Sequence, residues 1–293
     1  MTRVNEYLDK ASRILEKLFS KLPKRLQRKI VNALEKYNET LDPAMFYHAH
    51  SIISREYLGD TVSYQFPGFF KEYDGEKIKL PEPRALSGVD VLAAIRNRRS
   101  RRRYSDKPLA LEEVSTILYY ATGITGWYSG WPLRAYPSAG DLQPAETYLQ
   151  ASRVEGLEKA LYYYDPKEHA LVLLRKGDFS LELYRASLSQ DWVLAAPANI
   201  ILTAVYTRTA SKYGSRSYRY MHLDLGTVIE NIYVVAEALG LATVCVGAFY
   251  DEEVSYILKL PEYEIPIAIM PIGYRVSEET TSAKKETIEE AAL

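Results

Sequence analysis

One cysteine, Cys245, is the chain's whole supply of thiol, so no disulfide can close within it and no zinc site built on several thiolates can form. A reducing, cytoplasmic setting suits that scarcity. An excess of either charge is missing too. Lys and Arg number 37 against 38 Asp and Glu, a formal net charge of −1, which speaks against a polyelectrolyte binder. Long apolar runs are absent. The longest uncharged stretch, Trp192 to Thr207, contains Pro197 and Asn199 and is too short and broken for a bilayer span. Charges interrupt the apolar positions between Met1 and Leu18, so no secretory signal is expected. Neither an internal repeat, nor a low-complexity tract, nor a Gly-x-Gly-x-x-Gly turn occurs.

What is present begins with 47% hydrophobic residues over 293 positions, enough for one large domain, or for one domain plus a smaller appendage. Residues 5–38 read as helical, with Leu8, Ile14, Leu15, Leu18 and Leu22 near a helical period, Pro23 as an interruption, and a second set at Leu26, Ile30, Val31 and Leu34. Residues 1–40 carry 10 Lys/Arg against 5 Asp/Glu. Such a basic amphipathic segment can lie on a membrane surface, but the preferred reading is the solvated face of a packed helix pair. Residues 41–88 lack long periodic segments and hold aromatics among Pro and Gly, as in Phe66-Pro67-Gly68-Phe69-Phe70 and Leu80-Pro81-Glu82-Pro83. They read as an extended arm fixed to a body by aromatic anchors.

From Val89 onward the pattern changes. Val91 to Arg98 and Leu111 to Thr122 read as helices, Ile124 to Pro132 as a Gly/Trp/Tyr-rich loop, and Thr147 to Ser152 as a strand. Leu161 to Tyr164 and Leu171 to Leu174 read as a hairpin, and Phe179 to Ser187 as helical. Ile200 to Tyr206 reads as a buried strand, Tyr220 to Leu239 as a long helix stopped by Gly240, and Thr243 to Val246 and Ile265 to Tyr274 as closing strands. Helices and strands mix without strict alternation, which predicts an α+β domain. The expected divisions are an arm over 1–85, a main globular domain over 86–276 and a tail over 277–293.

Four segments carry chemistry. Arg96 to Arg103 places six arginines in eight residues at a helix end, with Ser100 embedded and Tyr104 trailing. Guanidinium groups at that density need anions, and a hydroxyl donor among them suits a phosphate monoester. A solvated basic run, a nuclear signal or RNA binding compete with that reading, and the near-zero net charge argues against the last. Arg134 to Pro144 sets small residues between two prolines, which lets backbone approach a flat ligand. Ala238 to Phe249 ends a helix at Gly240 and exposes backbone N–H groups at Gly247-Ala248. Pro271 to Arg275 is a strand end presenting a cation.

Together these four, in this order over Val89 to Val276, resemble the nitroreductase-like flavoprotein superfamily, most closely its SagB/ThcOx-type branch of azoline dehydrogenases. The resemblance implies a three-layer α+β fold, a mostly antiparallel central sheet flanked by helices, and two FMN sites at the interface of a homodimer. It implies that Arg98, Arg99, Ser100 and Arg102 hold the ribityl phosphate and the pyrimidine edge, and that Arg275 joins them on the phosphate. Pro137, Ser138 and Asp141 would line the flavin from the partner subunit. Gly247 and Ala248 would aim backbone amides at flavin N5, where a donor suits the charge gained on reduction. Lys212-Tyr213 resembles a pair that removes a proton as hydride moves to N5, against the alternative of a surface lysine. Two positions depart from the pattern: Asp141 stands where Asn is frequent, and Gly226-Thr227 where the branch tends to show Gly-His. His222 reads as a packed histidine between Met221 and Leu223.

The expected activity is hydride transfer on an azoline-like small molecule or peptide. The alternative is an NAD(P)H-dependent nitro or quinone reductase, for which NAD(P)H would be the co-substrate. Outside enzymes, an anion- or RNA-binding basic patch is the rival. No nucleic acid, membrane or metal is expected as a partner.

Overall fold

The computed structural model describes residues 44, 47, 48, 51, 64–85 and 88–276. The helical reading of 5–38 and the tail after 277 lie outside them. The chain divides into two compact units, Met1–Leu58 and Gly59–Leu293. Within the first, Ser51 N–H donates to Tyr47 O at 3.0 Å.

The second unit is built on a seven-stranded sheet of order β1-β6-β5-β4-β7-β9-β8, with every pairing antiparallel. Its strands are β1 (Lys77–Lys79), β4 (Ala145–Ala151), β5 (Ala160–Asp165), β6 (Ala170–Lys176), β7 (Ala198–Val205), β8 (Leu241–Thr243) and β9 (Glu264–Tyr274). The residues read as an extended arm thus supply an edge strand. A separate hairpin, β2 (Ile124–Tyr128) and β3 (Trp131–Arg134), replaces the expected loop. Ser129 and Gly130 at its tip have φ of 49° and 82°, the positive pair a two-residue turn requires.

Alternation along the strands divides two cores. Ala145, Leu149, Tyr162, Tyr164, Ile200, Leu202, Met270 and Ile272 face α2 (Leu111–Thr122) and α6 (Ser217–Ala238). Tyr148, Leu161, Tyr163, Ile201 and Ile269 face α3 (Ser180–Ala186), α4 (Asp191–Ala195) and α7 (Asp251–Leu258). The period of two in the strands and 3.6 in the helices makes this a sheet between helical layers. Each fully buried Leu or Ile contributes about 1.5–3 kcal/mol relative to exposure.

The long helix α6 turns Met221, Leu225, Val228, Ile232 and Ala236 inward. His222 and Leu223 fall outside that stripe, and both are exposed. The packed-histidine reading is therefore corrected: apolar neighbours in sequence are not neighbours on a helix face. His222 donates Nδ1–H to Tyr218 O at 2.6 Å instead. Among the described residues, no helix is long and apolar enough to cross a membrane, and no group of three or more His, Cys, Asp or Glu could hold a metal.

Candidate active site

The arginine run begins where α1 (Val91–Asn97) ends. Asp90 caps α1 by accepting from Leu92 N–H at 2.9 Å. Beyond Asn97 the chain runs extended along the end of the sheet. Arg101 N–H donates to Thr243 O at 2.8 Å, Tyr104 bridges Arg275, and Ser105 N–H donates to Tyr274 O at 2.9 Å. Segments far apart in sequence, the arginine run and the final strand, are thereby zipped together. Gly273 permits the approach, because a Cβ there would meet Pro197 Cδ at 2.7 Å and Tyr104 Cβ at 3.0 Å.

The C-terminal half of α6 forms the floor. Ser100 Oγ lies 2.9 Å from Tyr233 Oη, and the same Oη accepts from Cys245 N–H at 2.8 Å. Arg98 stacks its guanidinium 5.4 Å from the Tyr233 ring centroid and pairs with Glu230 at 3.2 Å. Glu237 takes Arg101 and Arg275, each at 2.6 Å, and Arg275 Nε–H donates to Leu241 O at 2.9 Å. Arg99 turns back on the helix end, donating to Arg96 O and Arg98 O. Arg102 lies 5.2 Å from the Trp192 ring, and Gln190 Nε2–H donates to Ala248 O at 2.9 Å. The first, third and fourth segments thus converge, with Gln190 to Trp192 as a shared wall.

Seven arginines lie in the run and at Arg275, and among the described residues their carboxylate partners are Glu230 and Glu237. The surplus of guanidinium suits a phosphate. Gly247 and Ala248 are exposed, a Cβ at Gly247 would meet nothing within 4 Å, and neither N–H donates to another described group. The buried Trp192 Nε1 beside Arg102 has no hydrogen-bond partner. Free amides, an orphaned indole N–H and unneutralised cations make a donor-rich surface that fits an anionic, acceptor-rich cofactor such as FMN.

The second segment lies elsewhere on α6. Ser138 Oγ–H donates to Asp224 at 2.7 Å, Ala139 N–H donates to the same carboxylate at 3.2 Å, and Gln143 N–H donates to Ser138 Oγ at 2.9 Å. Burial raises the Asp224 carboxyl above the ordinary carboxylate value, against the two hydrogen bonds that lower it. Asp141, at φ 56°, accepts from Gln143 Nε2–H at 2.9 Å, so one of its oxygens is already engaged. Thr227, in the place of the branch's histidine, donates back to Asp224 O at 2.6 Å. Pro137 is exposed beside them.

Lys212 and Tyr213, at the end of α5 (Tyr206–Tyr213), join this second group. Gly140, at φ 62°, lies so close that a Cβ would meet Tyr213 Oη at 2.5 Å and Lys212 Nζ at 3.1 Å. Lys212 is exposed in the single chain, so any desolvated pocket for it needs another body above it. Asp224 and Tyr233 are nine residues apart on one helix, about 14 Å along its axis. A single chain therefore presents the candidate residues as two separate groups. Tyr233, Asp224 and Glu237 were not singled out from sequence, because each acts through partners distant in the chain.

A nitroreductase family model matches residues 95–274. MJ1384 of Methanocaldococcus jannaschii, a protein named as a nitroreductase, is 40% identical over 219 residues, 75% of this chain and 100% of its own length. The trifolitoxin-processing protein TfxB of Rhizobium leguminosarum bv. trifolii is 32% identical over 143 residues, 45% of this chain. A crystal structure of a nitroreductase-type protein from Anabaena variabilis superposes with a TM-score of 0.66 at 28% identity over 79% of this chain. The chain spans 38% of TfxB and 47% of the Anabaena chain. With a family match over most of its length and a relative it covers from end to end, this chain belongs to the nitroreductase family of oxidoreductases.

Proposed function

We propose that the chain is an FMN-dependent, SagB-type dehydrogenase that works as a homodimer on azoline-like small molecules or peptides. The observation that carries this reading is the convergence of Arg98, Ser100, Gly247, Ala248 and Arg275 around the C-terminal half of α6, with free amides beside surplus guanidinium. The similarity to a protein named for trifolitoxin processing supports the choice of branch. The split of the site along α6 supports the dimer: a second copy would bring Pro137, Ser138, Asp141 and Lys212 over the first copy's arginines.

When bound, FMN supplies a two-electron hydride acceptor at N5. Arg98, Ser100 and Arg275 bind its phosphate, with Arg99 at the margin of that grip. Arg102 places a cation at the pyrimidine edge, where negative charge develops. Gly247 and Ala248 offer N–H donors. Lys212, with Tyr213 beside it, takes the proton from the substrate carbon once the partner subunit has covered it.

The purified protein is expected to be yellow and to release FMN on denaturation. Arg98→Ala and Arg275→Ala should each weaken FMN retention, since a hydrogen bond to a charged group is worth roughly 1.5–3 kcal/mol. Unchanged FMN content in both variants rules out the phosphate grip. A colourless protein that takes up no FMN favours an anion- or RNA-binding role for the run. The second reading, an NAD(P)H-dependent nitro or quinone reductase, has its own support in MJ1384, a protein named as a nitroreductase. An anaerobic screen decides between them. Bleaching of the flavin by azoline peptides but not by NADH or NADPH supports the dehydrogenase, and the converse supports the reductase.

A further inference from the structure

Tyr233 is 8% exposed and ties together two of the segments that the proposed cofactor site requires, the arginine run and the turn that follows β8. Its ring lies under the Arg98 guanidinium, and its hydroxyl meets both Ser100 Oγ and the Cys245 N–H. Hydrogen counting gives these contacts a direction. The Cys245 amide can only donate, so Tyr233 Oη accepts from it. Tyr233 has one hydrogen of its own, and Ser100 Oγ is the acceptor within reach at 2.9 Å. Were Ser100 to donate instead, the Tyr233 hydrogen would be left without a partner on a buried side chain, which is unfavourable. The arrangement that satisfies every group runs from Cys245 N–H to Tyr233 Oη, and from Tyr233 O–H to Ser100 Oγ. The Ser100 hydrogen is then not taken up by Tyr233 and, on an exposed residue, is available to a ligand.

We propose that Tyr233 is a positioning residue that makes Ser100 an obligate donor to the cofactor's phosphate, and that fixes the Cys245–Ala248 turn to the phosphate grip. The inference rests on the FMN reading above. Each bond in such a chain polarises the next, so the Ser100 hydroxyl becomes a stronger donor than an isolated serine. Because Cys245 stands two residues before Gly247, the same hydroxyl sets the distance between the phosphate end and the amides offered to the ring. Tyr233→Phe keeps the ring under Arg98 and removes both hydrogen bonds.

The test is a fluorescence titration of the full-length apoprotein with FMN and, separately, with riboflavin, which has the same ring and ribityl chain but no phosphate. Tyr233→Phe should weaken FMN binding roughly tenfold, because Ser100 is no longer held as a donor to the phosphate, and weaken riboflavin binding by clearly less. In a Ser100→Ala background, Tyr233→Phe should lower the FMN-to-riboflavin affinity ratio no further. A wild-type ratio in Tyr233→Phe overturns the proposal. So does an equal loss for both ligands, which would mark ordinary packing. If Tyr233→Phe does not fold, Ser100→Ala carries the test alone, and an unchanged ratio there is equally fatal. Failure of this inference is separable from failure of the FMN reading. Wild-type protein that binds neither flavin sinks both, whereas loss of FMN in Arg98→Ala with none in Tyr233→Phe sinks this one alone.

Discussion

His169 shows how single side chains hold this molecule together. Its Nε2 lies 2.8 Å from Ser115 Oγ and 3.1 Å from Pro81 O, and its Nδ1 lies 2.9 Å from Tyr164 Oη. Ser115 already donates to Pro81 O, so Nε2 must carry the ring hydrogen and Tyr164 must donate to Nδ1. The imidazole is neutral, and burial pulls its pKa below the ordinary value of 6.5. With a depressed folded pKa, the unfolded chain binds the proton more readily. Stability is therefore full above about pH 6.5 and is lost as pH falls toward the folded value. Thermal melts should show wild type losing stability relative to His169→Asn between about pH 7 and pH 5. Asn is the fitting replacement because residue 169 sits at φ 48°. Parallel pH profiles for the two proteins would refute this. None of it was legible in the sequence, since Pro81, Ser115 and Tyr164 meet only through the fold. The arginine run was legible because its signal is local: six like charges and a serine need no tertiary context to point to an anion.

Among elements, α5 is tied down through one buried guanidinium. Arg208 is 1% exposed and donates Nε–H to Gly68 O at 2.8 Å, Nη1–H to Gln143 O at 2.9 Å and Nη2–H to Glu146. Glu146 also accepts from Tyr163 Oη–H at 2.7 Å. One guanidinium thus joins the helix carrying Lys212 to the arm, the second segment and β4. Arg208→Ala leaves the Glu146 carboxylate buried and unpaired, so it should cost about 3–5 kcal/mol in denaturant unfolding. A loss below about 1 kcal/mol would show that the anchor is dispensable. Long strands and the helices α2 and α6 were readable from period and punctuation, to within a few residues at their ends. The β2–β3 hairpin was not, although Ser129-Gly130 is a turn signal, because Trp127, Tyr128, Trp131 and Leu133 are all substantially exposed and leave no apolar/polar alternation. The edge strand β1 is three residues long, too short for any periodic signature, and exists only because β6 offers it a partner.

For the molecule as a whole, the split along α6 predicts complementation between defective copies. In the proposed dimer each site combines the arginine grip of one subunit with the Lys212 group of the other. Arg275→Ala and Lys212→Ala homodimers should each turn over poorly. Co-refolded in equal amounts, they should recover about a quarter of wild-type turnover, since half the dimers are mixed and each mixed dimer holds one intact site. No recovery would show that a site is complete within one chain. The order of strands carries a different consequence, one of timing. Strand β9 lies between β7 and β8, so that end of the sheet is completed only by the last described strand to be synthesised. Until residues 264–274 leave the ribosome, β7 presents a long apolar edge that invites pairing with strangers. Arg275 follows immediately, so the nascent chain gains its cofactor grip and loses its stickiest edge at nearly the same moment. Chains truncated before that point are expected to be both apo and prone to aggregate, a form that cellular quality control could recognise without testing for activity.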